Sequence, residues 1–320
     1  MDSSEYDFMV CVHCMTYNHE CFLEDALKGF VMQKTSFPFI IIVIDDCSTD
    51  RTAEVLRKYE ILYPELIKAF YLFENHYSQK KTKRPYLDPY DNRSKYIALC
   101  EGDDYWTDPL KLQKQIDYME AHPDCTLTVH SANWRTGDSI YPEGCTDVVS
   151  KDYSVEELIR CGGLHFATAS FVFRTELNKD WPEWRRKANV GDFPLQILAG
   201  LHGNVHYLPD KMCVYRYRSE GSWSTNILKR EKYIAFQKNK IEWMTLLDEA
   251  TGHKYQRAIY DQLAQHFISL YLLKEISFKE YAIATNRSGS RRYGRLLKDF
   301  VRVRFPNVFS ALRVFRFLKR

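Results

Sequence analysis

Two runs of acids are where this chain has the means to do chemistry. IIIVIDDCSTD sets Asp45 and Asp46 directly behind an apolar stretch, and YIALCEGDDYW does the same with Glu101, Asp103 and Asp104. Adjacent carboxylates repel, so such clusters ask for a cation or for hydrogen-bond donors. Hard oxygen ligands of this kind suit Mg²⁺ or Mn²⁺, ions that commonly bridge to substrate phosphates. A third polar run, Thr16-Tyr17-Asn18, closes the first apolar stretch in the same way. The plainer reading makes acids of this sort helix caps and turn residues, and for Asp50 and Asp108 that is the expectation.

The elements that must position these runs alternate. FMVCVHCMT (8–16) reads as a strand, 21–33 as a helix, and FPFIIIVI (37–44) as a strand covered on both faces. A helix over 50–63, strands at 66–73 and 95–100, and a helix opened by Asp108-Pro109 follow. This βαβα order predicts a largely parallel sheet with helices on both faces. In such a sheet ligands sit beyond the carboxyl ends of the strands, where all three polar runs fall. Further on, 125–134 and 166–174 read as strands around a loop at 135–150. Ser154 and Glu157 form a capping box, 190–199 a short helix, and 204–216 a pair of short strands. Helical periodicity dominates from about 229, which sets a domain of 1–225 and a helical region of 226–320.

Composition excludes other classes. The 320 residues are 45% hydrophobic and 27% charged, which is neither a disordered chain nor a polytopic membrane protein. The longest apolar run is far too short to span a bilayer, and the opening MDSSEYD is acidic and polar, unlike a secretion signal. Nine scattered cysteines, several inside apolar runs, read as reduced core thiols. Cys11 and Cys14 lie near His13, but strand alternation turns the two thiols to opposite faces, against a zinc site. The net charge of +3 conceals an uneven distribution: residues 288–320 carry ten basic side chains and one acid. No GxGxxG or GxxxxGKS occurs, so a nucleotide would be held by carboxylates on its base and ribose and by a metal on its pyrophosphate. That combination points to an enzyme of nucleotide sugars.

The succession CMTYNHE, VIDDCSTD, KYIALCEGDDYWTDPLKLQKQ, GDFPLQ and VYRYRSEGSWS resembles a family 2 glycosyltransferase, the inverting GT-A type of bacterial capsule, O-antigen and exopolysaccharide synthesis, over roughly 7–225. The resemblance implies a Rossmann-like, mixed and mostly parallel sheet flanked by helices, with a helical C-terminal extension. It implies that Thr16, Tyr17 and Asn18 line the nucleotide, that Asp45 and Asp46 hold uracil or ribose, and that Asp103 contacts ribose or metal. Asp104 becomes the main ligand of Mn²⁺ or Mg²⁺; Glu101 stands where the family has Asp, which leaves its part open. Asp192 matches the catalytic base, with Gly191 where an acid often precedes it. Arg218 stands where a histidine is common and cannot ligate a metal, so Arg218 or Arg216 would neutralise the diphosphate. Gly163, His165 and Trp223 are weaker candidates for the sugar or acceptor. Trp181 and Trp184 are read first as packing residues, and Lys80–Arg84 as a solvated loop. A sugar nucleotidyltransferase would show a glycine-rich N-terminal loop where this chain has TYNHE. A non-catalytic protein of the same fold would have little use for the intact DD, EGDD and GD set.

The resemblance also implies a UDP-linked donor and an acceptor glycan on a polyprenyl diphosphate carrier. Val308, Ala311, Leu312, Phe315 and Leu318 recur at helical spacing, with Arg313, Arg316 and Arg320 on another face. Taken alone, this basic amphipathic tail reads as a nucleic-acid patch or a helix docked on the body; beside a lipid-linked acceptor, it reads as a binder of anionic lipid on the cytoplasmic face of the inner membrane.

Overall fold

A computed structural model describes residues 6–287, apart from 138, 142–143, 146, 218–224, 226 and 228. Arg218, Trp223 and the 288–320 tail therefore lie outside the described residues.

The first half alternates as expected: β1 (Phe8–Thr16), α1 (Leu23–Val31), β2 (Phe39–Asp45), α2 (Thr52–Leu62), β3 (Ile67–Tyr71), α3 (Arg84–Asp91), β4 (Ser94–Leu99), β5 (Tyr105–Trp106) and α4 (Lys111–Ala121). Then come β6 (Cys125–Thr136), β7 (Ser139–Tyr141), β8 (Lys151–Tyr153), α5 (Val155–Cys161), β9 (Val172–Arg174), α6 (Glu183–Lys187), α7 (Asp192–His202) and β10 (Asn204–Arg216). Three helices follow: α8 (Arg230–Ala250), α9 (Gln256–Leu272) and α10 (Phe278–Arg287).

The sheet runs β3-β2-β1-β4-β9-β6-β10-β5, with β7 beside β6 and β8 beside β10. The pairs among β3, β2, β1 and β4 are parallel, β9 is antiparallel to both its neighbours, and β6–β10 is parallel again. The sheet is thus mixed and mostly parallel. Strand alternation sorts the side chains of β1. Val10, Val12 and Cys14 pack with Leu23, Leu27 and Phe30 of α1 and Leu112, Ile116 and Met119 of α4. Cys11 turns the other way, to Ile40, Ile42 and Ile44 and to Tyr86, Leu87 and Tyr90 of α3. Each fully buried side chain of this size contributes about 1.5–3 kcal/mol. The two thiols do face apart, and the nine cysteines are free.

Three expectations fail locally. Helix α3 is unforeseen; Pro85 sits in its first turn, where its missing N–H costs nothing. Residues 204–216 form one strand, not two, since register shifts around Leu208/Lys211 absorb Pro209 without a turn. Of the strand expected at 166–174 only Val172–Arg174 is extended, between 3₁₀ turns at Thr168–Ser170 and Thr175–Asn178.

The chain forms two compact units. The sheet and its helices, with Gly163–Trp181 and the run from Leu195 to Thr225, make the first. Val155–Gly162, Pro182–Pro194 and the helices beyond Asn226 make the second. Within the second, Trp184 stacks on Trp243 at 6.2 Å between ring centres and Phe193 meets Trp243 edge-on at 5.6 Å. Trp184 is thus a packing residue, as expected.

Candidate active site

Strand register brings the polar runs together. Thr16 pairs with Asp45, so β1 and β2 end level, while β4 ends at Leu99 opposite His13, three residues short of the end of β1. The chain stays zipped beyond them: Asp46 N–H donates to Thr16 O at 2.9 Å and Gly102 N–H to Met15 O at 2.9 Å. Gly102 has to be glycine, because a Cβ there would lie 2.7 Å from Thr16 Oγ1 and 3.0 Å from His19 Nδ1. The EGDD turn therefore rests directly on the end of β1.

The loops after β1 and β2 are laced to each other. Asn18, held in the left-handed region at φ 53°, takes a hydrogen bond from Thr49 N–H at 2.8 Å and gives its own N–H to Ser48 Oγ at 2.9 Å. Asp50 accepts from Thr52 N–H at 2.9 Å and Glu20 N–H at 3.0 Å, and Asp108 accepts from Leu110 N–H at 2.8 Å. Both acids close turns just ahead of α2 and α4, the plain reading for them. Tyr17 projects outward, 45% exposed.

Asp45 and Asp46 are both buried but serve different neighbours. Asp45 accepts from Ser48 N–H and Oγ, and burial holds its pKa above the usual carboxylate range against those bonds. Asp46 takes His76 N–H at 2.7 Å on one oxygen, and Tyr77 N–H and Lys83 Nζ, both at 3.0 Å, on the other. It thereby anchors the loop between β3 and α3. Lys83, read from sequence as part of a solvated run, is largely covered in this contact.

Asp104 is buried, 3% exposed, and its Oδ1 accepts the Arg216 N–H at 2.8 Å. Burial first, then the Asp103 charge, pushes its carboxyl well above the ordinary range. An ionised carboxylate in that position wants a cation. Against Gly102 of the same turn, Thr16 Oγ1 and His19 Nδ1 are buried with no hydrogen-bond partner among the described residues. Unspent polar atoms next to a buried carboxylate are what a ligand-binding rim looks like before its ligand arrives. The donor set fits a hard divalent ion held by one or two carboxylates, with phosphate and water completing the shell. The sequence reading gave His19 no part in the nucleotide site, where the polar run stops at Asn18; burial lowers its pKa against the pull of Asp103, Asp50 and Asp45.

Cys11, His13 and Asp91 also come within 4.8 Å of one another. Asp91 accepts from His13 Nε2 at 2.7 Å and Asn178 Nδ2 at 3.1 Å, and Cys11 hydrogen-bonds to it as well. Three side chains hydrogen-bond this buried carboxyl group, which pins α3 beneath β1.

The remaining candidates sit elsewhere. His165 Nε2 lies 3.1 Å from Tyr153 OH, which donates to Asp147 at 2.5 Å, and Gly163 begins the segment leading to it. In the second unit, Asp192 opens α7 half-buried, and its Oδ1 accepts Phe193 N–H at 2.7 Å. Burial raises its pKa; the Phe193 N–H and the Lys240 charge pull it back in part. Lys240 is buried with Nζ 3.7 Å from the Phe193 ring centre, and burial brings its pKa down to about 7. No sequence signal singles out Lys240, which lies 48 residues downstream on another helix.

Comparison with known proteins agrees with this geometry. The Glycosyl transferase family 2 description matches residues 11–82. The uncharacterized protein Rv1520 of Mycobacterium tuberculosis is 32% identical over 272 residues, covering 82% of this chain and 73% of its own. Among solved structures, Staphylococcus aureus TarS 1-349 in complex with UDP-GlcNAc superposes with a TM-score of 0.59 at 18% identity, over 92% of this chain and 81% of that one. The mannosyltransferase PcManGT of Pyrobaculum calidifontis, in complex with GDP-Man and Mn²⁺, gives 0.51 at 16%, over 94% and 88%. With its strand-end carboxylates on a mixed sheet of this order, the chain belongs to glycosyltransferase family 2 and has the GT-A fold.

Proposed function

We propose that this glycosyltransferase is an inverting, metal-dependent enzyme that moves a hexosyl group from a nucleoside-diphosphate donor, UDP-linked, to an acceptor hydroxyl during bacterial surface-polysaccharide synthesis. The observation that carries the reading is the meeting of Thr16, Asp45 and the EGDD turn at one level of the sheet, with Asp104 buried beside unspent polar atoms. The printed ligands of the structural neighbours support a nucleotide-sugar donor and a divalent ion.

In this mechanism Thr16, Tyr17, Asn18, Asp45 and Asp46 receive base and ribose, and Asp103 and Asp104 would hold Mn²⁺ or Mg²⁺. The ion, when bound, supplies Lewis-acid stabilisation to the charge developing on the leaving phosphate. Asp192 takes the proton of the acceptor hydroxyl as its oxygen bonds to the anomeric carbon, and the bond from that carbon to the phosphate oxygen breaks on the opposite face. A leaving group already stabilised needs no protonation, so one carboxylate suffices, unlike glycoside hydrolysis. Arg218 neutralises the diphosphate, and Gly163, His165 and Trp223 are assigned to sugar or acceptor. A release assay for the nucleoside diphosphate, run over a panel of UDP-, GDP- and dTDP-sugars with Mn²⁺ and a hydroxyl acceptor, tests this. Turnover with one of them is expected, and none with any would overturn it.

The acceptor is proposed to be a glycan on a polyprenyl diphosphate, met at the cytoplasmic face of the inner membrane through the basic tail. Among the described residues no helix is long and apolar enough to cross a membrane. Deleting 288–320 is expected to abolish cosedimentation with phosphatidylglycerol vesicles while leaving nucleotide binding intact. A truncated protein that still pellets would remove the tail from this role.

A further inference from the structure

Arg216 is the last residue of β10, and three of its groups reach two other elements, the EGDD turn and α1. Its backbone N–H donates to Asp104 Oδ1 at 2.8 Å. Its Nη1 donates to the Asp103 carbonyl at 2.7 Å, and its Nη2 to Asp25 Oδ2 at 2.5 Å, in the first turn of α1. The guanidinium is fixed between two rings, with Cζ 5.0 Å from the centre of Phe22 and 4.5 Å from that of Tyr105. Only 18% of the side chain is exposed.

We infer that Arg216 is a positioning residue, not a ligand of the diphosphate: with Asp25 it forms a strut that sets the angle of the Asp103–Asp104 peptide and the aim of the Asp104 carboxylate. The inference rests on the proposed metal–nucleotide site. Its physical basis is the use already made of the side chain. A planar guanidinium sandwiched by two rings, with one edge on a carbonyl and the other on a carboxylate, has little freedom to swing toward a phosphate. The strut also answers an electrostatic problem. Three acids crowd residues 101–104, and a cation bound to the backbone of the turn offsets their repulsion without occupying the carboxylate oxygens where a metal would bind. A lysine cannot replace it, because an ammonium is a point donor and cannot span the carbonyl and the carboxylate in one plane. Asp25 is the informative partner, since it is half-exposed and touches the site only through Arg216.

The test uses Arg216→Lys, Asp25→Asn and the double variant of the full chain, with two titrations each. Mn²⁺ affinity in the presence of UDP is read from the free-ion EPR signal, and UDP affinity in EDTA by calorimetry. Removing an outer partner of a metal-binding carboxylate typically costs about 10–100-fold in metal affinity. Arg216→Lys is expected to weaken Mn²⁺ binding roughly tenfold, near the lower end of that range. Asp25→Asn should weaken it less, by roughly threefold, because its partner remains. The double variant should be no worse than Arg216→Lys alone, and UDP affinity in EDTA should not move. If Arg216→Lys loses UDP affinity in EDTA while Asp25→Asn behaves as wild type, Arg216 is a diphosphate ligand and the strut is wrong. Wild-type Mn²⁺ affinity in all variants would likewise overturn it. A wild-type protein that binds UDP no better with Mn²⁺ than without fails the underlying site reading, a distinct result. Asp25→Asn, a half-exposed change on the helix surface, keeps the experiment decisive should Arg216→Lys not fold.

Discussion

Asp192→Asn is expected to leave nucleotide-sugar affinity within about twofold of wild type while kcat falls by roughly two to four decades, the range lost with a general base. The asparagine amide keeps an oxygen for the Phe193 N–H, so the start of α7 should hold its shape. Only the ability to take a proton is removed. Such a loss corresponds to about 3–5.5 kcal/mol of barrier. The pH profile supplies a second reading. A base works ionised, and burial lifts the Asp192 pKa above its ordinary position, so the acid limb of kcat/KM should lie at higher pH than for an exposed aspartate. Activity is full above that limb and falls as pH drops through it. Undiminished turnover by Asp192→Asn would remove this residue from the chemistry.

Asp104→Ala should abolish the Mn²⁺-dependent part of nucleotide binding. In wild type, a saturating ligand at about 100 times its Kd adds about 2.7 kcal/mol to stability, seen as a rise in Tm with UDP and Mn²⁺ together. The variant should lose that rise. Its Tm in EDTA is the more searching measurement. Losing the acceptor for the Arg216 N–H costs about 1–3 kcal/mol. Against this, the substitution deletes a buried charge already destabilised by burial and by Asp103. A Tm in EDTA equal to or above wild type is therefore expected. A variant that gains the same Tm increment from Mn²⁺ and UDP as wild type would place the ion elsewhere.

Much of the candidate rim was legible in the sequence, for a definable reason. A parallel sheet with both faces covered writes its strands as unbroken apolar runs, so the polar residues that end them stand out. Thr16, Asp45 and the EGDD turn are marked in this way; the register sets the ends of β1 and β2 level, and the Gly102 N–H bond to Met15 O brings the turn beside them. What escaped depends on tertiary neighbours that leave no periodic trace. Asp46 looks like Asp45 in sequence, yet one closes its own turn and the other anchors a loop 30 residues on. His19 follows the polar triplet directly and is distinguished only by its contact with Gly102. The helix over Arg84–Asp91 was not read from the sequence, and the pair of strands expected over 204–216 is one strand that bulges near Pro209. The family resemblance assigned Arg216 to the diphosphate; its donors to Asp25 and to a carbonyl are tertiary contacts that no sequence pattern marks.

The free thiols of the fold divide this molecule into chemically silent and chemically accessible sulfur. Six of nine are buried, and for Cys11, Cys14, Cys100, Cys125 and Cys213 burial is the main force lifting the pKa. Thiolate is the form that reacts with oxidants and alkylating agents, so these sulfurs are shielded twice, by access and by protonation. Cys21, Cys47 and Cys161 keep contact with solvent. The native protein thus offers an electrophile a small, fixed fraction of its sulfur and surrenders the remainder only when the sheet opens, which makes its cysteines a built-in gauge of its own integrity.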